Sequence, residues 1–312
     1  MSRGARDTAG EAPALPGTKH LPSSALAIQQ GMKTTREKAV PGWLGAVLIL
    51  GTFGALVWLE NRRPLRRRRI ESKLRRNLRN LAVATIGAIS LQLAEKPLVR
   101  PLARLVEQRR VGLLKQIALP SWLEIPLAVA LLDYTLYLWH VLTHRVPFLW
   151  RFHQAHHVDL EMDASTALRF HFGELLISVP WRALQILTIG VCPLALSIWQ
   201  NALLIEIMFH HSNVELSPEN ERRLAKFIVT PRLHGIHHSI VEDEVNSNWS
   251  SGLTIWDWLH RTLRVDVPQD AITIGVPAFL HPTEVELPEV LEMPFVRQRD
   301  PRFLPPREKR TL

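Results

Sequence analysis

The chain has 312 residues, 46% hydrophobic and 21% charged, with a formal net charge of +9. Its one cysteine, Cys192, excludes an intrachain disulfide and any multi-cysteine zinc or iron–sulfur site. A basic balance suits either nucleic acid or anionic lipid headgroups. Here the apolar residues fall in long runs, apart from the blocks of charge, which favours lipid.

Residues 1–40 are polar, rich in Gly, Pro, Ser and Lys, and without periodicity. They read as a disordered tail, and with no apolar core near Met1 they do not resemble a cleavable signal. The first apolar run, 42–59, approaches the ~20 residues that cross a bilayer core. A basic block follows over 61–80, with ten Arg and Lys. Apolar runs on both sides make it a cytoplasmic anchor under the positive-inside rule rather than a nucleic-acid patch. A second run, 81–94, is short and weakly hydrophobic. A third covers 122–139, and a fourth and fifth, 175–191 and 193–209, read as a helical hairpin turned at Pro193. From about 264 the chain is rich in Pro and charge and reads as surface-packed. The expected layout is a tail at 1–40, N-terminal spans with a basic loop at 41–119, a histidine-rich domain at 120–295 and a tail at 296–312. If the basic block is cytoplasmic, alternation of the spans puts every histidine cluster on the cytoplasmic side. The expected fold is all-α: a multi-span helical membrane protein with a cytoplasmic histidine-rich helical cap.

Most of the 14 histidines lie between His140 and His238. His140 and His144 stand at i and i+4. His153, His156 and His157 form an HxxHH pattern, repeated by His234, His237 and His238. Such spacings bring imidazoles to one side of a helix. His171 and the pair His210–His211 lie between these clusters. A lone histidine is ordinarily a satisfied or solvated side chain, but three clusters beside apolar spans point to metal. There are more imidazoles than one zinc uses. Imidazole also takes copper, iron and nickel, so ligand type leaves the metal open. A structural two-zinc site in a non-enzymatic membrane protein is the alternative reading. No HExxH is present, which argues against a zinc protease. Asp133, seven residues before His140, is expected to hydrogen-bond a ligand imidazole and fix its tautomer. Glu174, three residues after His171, and Glu206 are candidates for the same task. Asp133 and Glu174 are the candidate catalytic carboxylates.

The stretch LLDYTLYLWHVLTHRVPFLWRFHQAHH (131–157) resembles the signature of the sterol desaturase and fatty acid hydroxylase superfamily. So do STALRFHFGE (165–174), FHHSNV (209–214), TPRLHGIHHS (230–239) and NSNWSSGLTIWDWL (246–259). The resemblance covers roughly 120–295. It implies a di-iron centre that activates dioxygen and hydroxylates or desaturates a lipid, with zinc as a substitute metal. By the same resemblance the ligands are His140, His144, His153, His156, His157, His211, His234, His237 and His238. His171 matches a recurrent Arg-Phe-His and is a further ligand or ligand-supporting group, while His210 stands where histidine is unusual. Val141, Trp249, Ser250, His260 and Arg261 depart from the family pattern without removing a ligand. The implied partners are a lipid substrate, dioxygen and a separate electron-donor protein, since no haem, flavin or ferredoxin segment is recognisable; nucleic acid is not among them.

Overall fold

The computed structural model describes residues 38–67, 70–301 and 303–306. The expected disordered tail therefore lies almost wholly outside the described residues. The described chain is helical with no strand, as expected. Its first elements are α1 (Gly42–Arg62), α2 (Lys73–Ala94), α3 (Lys96–Arg109) and α4 (Ser121–Arg145). Then come α5 (Pro147–His157), α6 (Phe172–Ile189), α7 (Pro193–His211) and α8 (Pro218–Leu224). Four short helices follow: α9 (Pro231–His237), α10 (Glu242–Val245), α11 (Ile255–Leu259) and α12 (Leu287–Glu292).

Three helices, α1, α4 and α6, are long and apolar enough to cross a membrane. A fourth candidate is α2 together with Lys96–Lys115, bent by 48°. Pro97, just past the break, has no N–H for the carbonyl four residues back, which breaks the ladder there. The expected hairpin forms from α6 and α7, but α7 is not a candidate span. Gln200, Asn201 and Glu206 interrupt its apolar run. The hairpin turns at Gly190, whose φ of 87° favours glycine. It packs against Gly112, where a Cβ would strike the Gly190 backbone.

The main core lies between α3, α4, α6 and α7, where Val99, Ala103, Leu132, Ile186 and Trp199 are buried together. At the turn end, Lys115 is held between Glu107 and Glu124.

The basic block departs in part from its reading as a headgroup anchor. Arg76 and Arg79 are only 2% and 5% exposed. Arg76 pairs with Asp159 at 3.1 Å and with Asp163. Asn80 donates to Asp159 at 2.9 Å, and Arg169 donates to Asn80 at 2.9 Å and to the Ala155 carbonyl at 2.8 Å. Burial would raise the Asp159 carboxyl, but Arg76, Arg169 and Arg79 reverse that and hold it below its ordinary value. Arg66 also turns inward, donating to the Pro231 carbonyl at 2.9 Å and to Gln269 at 2.6 Å. The block thus ties α2 and the preceding loop to the segments carrying the second and third histidine boxes.

Candidate metal centre

Three of the helices that carry the histidines have a start signal in their own sequence. Proline occupies the first turn of α5, α7 and α9, where its missing N–H costs nothing. Thr230 caps α9 through its hydroxyl, and His171 caps α6 by accepting the Gly173 N–H at 2.9 Å.

These helices bring nine imidazoles into two groups. His140, His144, His153, His157 and His237 form one, and His156, His211, His234 and His238 form the other. Within each group the ligand nitrogens lie within 4.8 Å of one another. All nine expected ligands are therefore in a cluster. The two HxxHH boxes are split in the same way. In each, the i and i+4 histidines serve one group and the i+3 histidine serves the other. On an α-helix i and i+4 differ by about 40°, whereas i+3 and i+4 differ by about 100°. One helix therefore faces two neighbouring sites.

Four of the nine rings are anchored through Nδ1, while Nδ1 of His156, His157, His234 and His238 is buried with no partner among the described residues. His140 Nδ1 donates to the Trp249 carbonyl at 2.7 Å, and His237 Nδ1 to the Ser247 carbonyl at 2.8 Å. His211 Nδ1 donates to the Ile207 carbonyl at 2.7 Å, and His153 Nδ1 to Glu174 at 2.9 Å. These bonds leave the Nε2 lone pairs pointing inward. In the five-histidine group, Nε2 of His144, His153, His157 and His237 is buried with no partner among the described residues. In the four-histidine group, Nε2 of His211 approaches those of His156 and His234 at 2.9 and 3.0 Å. His211 has no proton there to donate, so its Nε2 lone pair faces the Nε2 atoms of both neighbours. A cation is the group that satisfies both arrangements. Burial, reinforced by neighbouring imidazoles, pushes His156, His157, His234 and His238 well below the ordinary histidine value. Burial likewise pulls His237 down to about 3. All are neutral and competent as ligands at neutral pH.

Three expected site residues fall elsewhere. His171 uses Nδ1 as the α6 cap and donates Nε2–H to the Leu291 carbonyl at 3.1 Å, so it joins neither group. Asp133 does not bond an imidazole. Its Oδ2 accepts the Leu253 N–H at 3.0 Å and Trp256 Nε1–H at 2.7 Å. The reason is that loop 246–264 packs over that side of α4 and takes the carboxylate first. Glu206 faces the same loop: a Cβ on Gly252 would lie 2.7 Å from Glu206 and 2.5 Å from Asp133. Glu174 supports an imidazole as expected, but that of His153 rather than His171. His210 lies outside both groups, with its ring 4.0 Å from that of His234.

Sequence reasoning did not find the backbone of loop 246–264, which supplies the Ser247 and Trp249 carbonyls. Asp257 holds this loop by accepting the Trp249 and Ser250 N–H groups at 2.9 and 3.0 Å. Asn248, at φ 51°, spans it through the Leu233 and Arg264 carbonyls at 2.9 and 2.8 Å. The available signal was the NSNW…WDWL stretch itself, which contains both residues. A third convergence, Glu107, Glu124 and Cys192, lies at the turn end and is bridged by Lys115.

A cavity of about 600 Å³ runs between α2, α4, α6 and α7. Imidazoles of both groups, including His140, His153, His156 and His211, close one end of it. Its walls are mainly apolar, with Leu81, Ala88, Leu136, Leu175, Leu203 and Ile207 among them.

Residues 125–262, which contain all nine clustered histidines, match the model of the fatty acid hydroxylase family. The chain is 31% identical over 158 residues to ornithine lipid hydroxylase OlsE of Rhizobium tropici, covering 50% of this chain and 46% of that protein. It is 29% identical over 158 residues to cholesterol 25-hydroxylase of Mus musculus, covering 48% and 50%. It is 29% identical over 143 residues to alkylglycerol monooxygenase of Homo sapiens, covering 43% and 29%. The chain thus spans about half the length, or less, of these curated relatives. No solved structure matches it.

Proposed function

We propose a function that proceeds from one premise: residues 125–262 match the model of the fatty acid hydroxylase family. The chain is a membrane-bound di-iron oxygenase that oxidises a C–H bond of a lipid, using dioxygen and electrons from a separate protein. The observation that carries this reading is the pair of imidazole groups closing an apolar cavity. The relatives' names, which specify ornithine lipid, cholesterol and alkylglycerol, support a lipid substrate.

His140, His144, His153, His157 and His237 would hold one iron, and His156, His211, His234 and His238 the other. When bound, such a pair would take electrons from the separate donor and supply the dioxygen activation that an unreactive C–H bond requires. The chain's residues do the rest. The Trp249 and Ser247 carbonyls and Glu174 hold the imidazole tautomers. Asp133 and Asp257 hold the loop that presents those carbonyls. The apolar walls exclude water and align a hydrocarbon against the imidazoles. The basic block beside α1 supports placing the histidine cap on the cytoplasmic side.

The test has two parts. Protein purified after iron loading should hold two irons. Membranes from cells carrying it should contain a lipid that has gained one oxygen or lost two hydrogens. His156→Ala and His237→Ala should each abolish that product while the protein still inserts. Full activity in either variant, or tight zinc with no iron uptake and no product, overturns the reading.

A further inference from the structure

The cavity has a second end, and it is polar. Arg182 lies on α6 eight residues beyond Glu174, about 12 Å away at 1.5 Å per residue. Gln200 lies on α7 eleven residues before His211, about 16 Å away by the same rise. Glu95, at the break between α2 and α3, joins them in the cavity wall. Gln200 Nε2 donates to Glu95 Oε1 at 2.9 Å. Arg182 Nη1 donates to Gln185 at 2.8 Å, and its guanidinium sits 4.1 Å over the Trp199 ring. Its Nε has no acceptor among the described residues.

A carboxylate, a guanidinium and an amide among apolar candidate spans are costly unless they have a task. Packing alone accounts for the Gln200–Glu95 bond. It does not account for an arginine that faces the cavity with a donor left unpaired. The three groups select a chemistry. A hydrocarbon end would leave the Arg182 Nε–H without an acceptor. A carboxylate would be repelled by Glu95, and an ammonium by Arg182. A neutral hydroxyl both donates, to Glu95, and accepts, from Arg182.

We propose that Glu95, Arg182 and Gln200 form a subsite that holds the hydroxyl of a lipid alcohol, with its hydrocarbon lying along the apolar walls toward the imidazoles. Resting on the oxygenase reading, the subsite sets which carbon is oxidised.

The probes are two matched sets: cholesterol with 5α-cholestane, and 1-octadecanol with octadecane and stearic acid. Binding is measured on the iron-loaded protein without dioxygen, so no turnover intervenes. At least one alcohol should bind about tenfold or more tightly than its matched hydrocarbon, the effect of hydrogen bonds to charged groups. Gln200→Leu and Arg182→Met should each bring that ratio to within about threefold of one. Iron content should be unchanged in both, and Arg182→Lys should restore part of the preference. If one variant fails to fold, the other carries the test. A wild type without alcohol preference, a preference for stearic acid, or a preference retained in the folded variants overturns the proposal. Alcohol preference without lipid oxidation would overturn the oxygenase reading and leave the subsite standing. Oxidation without alcohol preference would do the reverse.

Discussion

Glu174 touches one metal group and not the other, which makes its removal diagnostic. Its Oε1 accepts His153 Nδ1–H at 2.9 Å, and both side chains are buried. In Glu174→Ala that buried N–H loses its acceptor. Leaving a buried donor unpaired costs about 1–3 kcal/mol. At about 1.4 kcal/mol per decade this is roughly a five- to 150-fold loss in metal affinity, consistent with the 10–100-fold cost of losing a ligand's support. The loss should fall on the group containing His153. The group of His156, His211, His234 and His238 has no hydrogen bond to Glu174 among the described residues and should keep its affinity within about threefold. A chelator titration of the iron-loaded protein under anaerobic conditions reads this directly. Wild type should release its metals together, and the variant should release one first. Glu174→Gln, which keeps an acceptor without the charge, should fall between them. Equal weakening of both metals, or no change, would refute the assignment of Glu174 as support for a single group.

Three further outcomes follow from other contacts. Asp257→Ala leaves the buried Trp249 and Ser250 N–H groups unpaired, and a stability loss of roughly 2–4 kcal/mol is expected in thermal or denaturant unfolding, with weakened iron binding. Gly252→Ala should lose activity and about 1–3 kcal/mol of stability, because its Cβ would lie 2.5 Å from Asp133; an unaffected variant would show that the loop does not need that close approach. The metal-free protein should lose stability as pH falls below 6.5. His237, held down to about 3, stays neutral in the folded state while its unfolded counterpart takes up a proton. Its contribution is complete above pH 6.5 and is lost between 6.5 and about 3, at about 1.4 kcal/mol per pH unit. His156, His157, His234 and His238 shift in the same direction and steepen the slope. A melting temperature that stays flat from pH 7 to 5 would contradict this. Iron should raise stability across that range without flattening the profile, since the folded imidazoles it binds are already neutral while the unfolded ones still take up protons.

Much of this protein is local and therefore readable in the chain. Apolar runs of bilayer length, prolines at the helix starts and imidazoles at i, i+3 and i+4 are properties of neighbouring residues. Helix geometry converts them into spans and ligand faces without reference to the rest of the fold. The nine clustered histidines were accordingly identified by spacing and family pattern. What spacing alone left open is how they divide. His156 and His157 are adjacent in sequence but serve different groups, as do His237 and His238. That choice depends on where α4, α7 and α9 place the remaining imidazoles around each helix. Carboxylate partners were equally out of reach. Asp133 shares a helix with His140, yet it is claimed by Leu253 and Trp256 from a loop more than a hundred residues away. The supports of His140 and His237 are backbone carbonyls, which every residue has and no composition reveals. Helical periodicity specifies the direction in which a side chain leaves its own axis, whereas only packing between helices determines what it meets there.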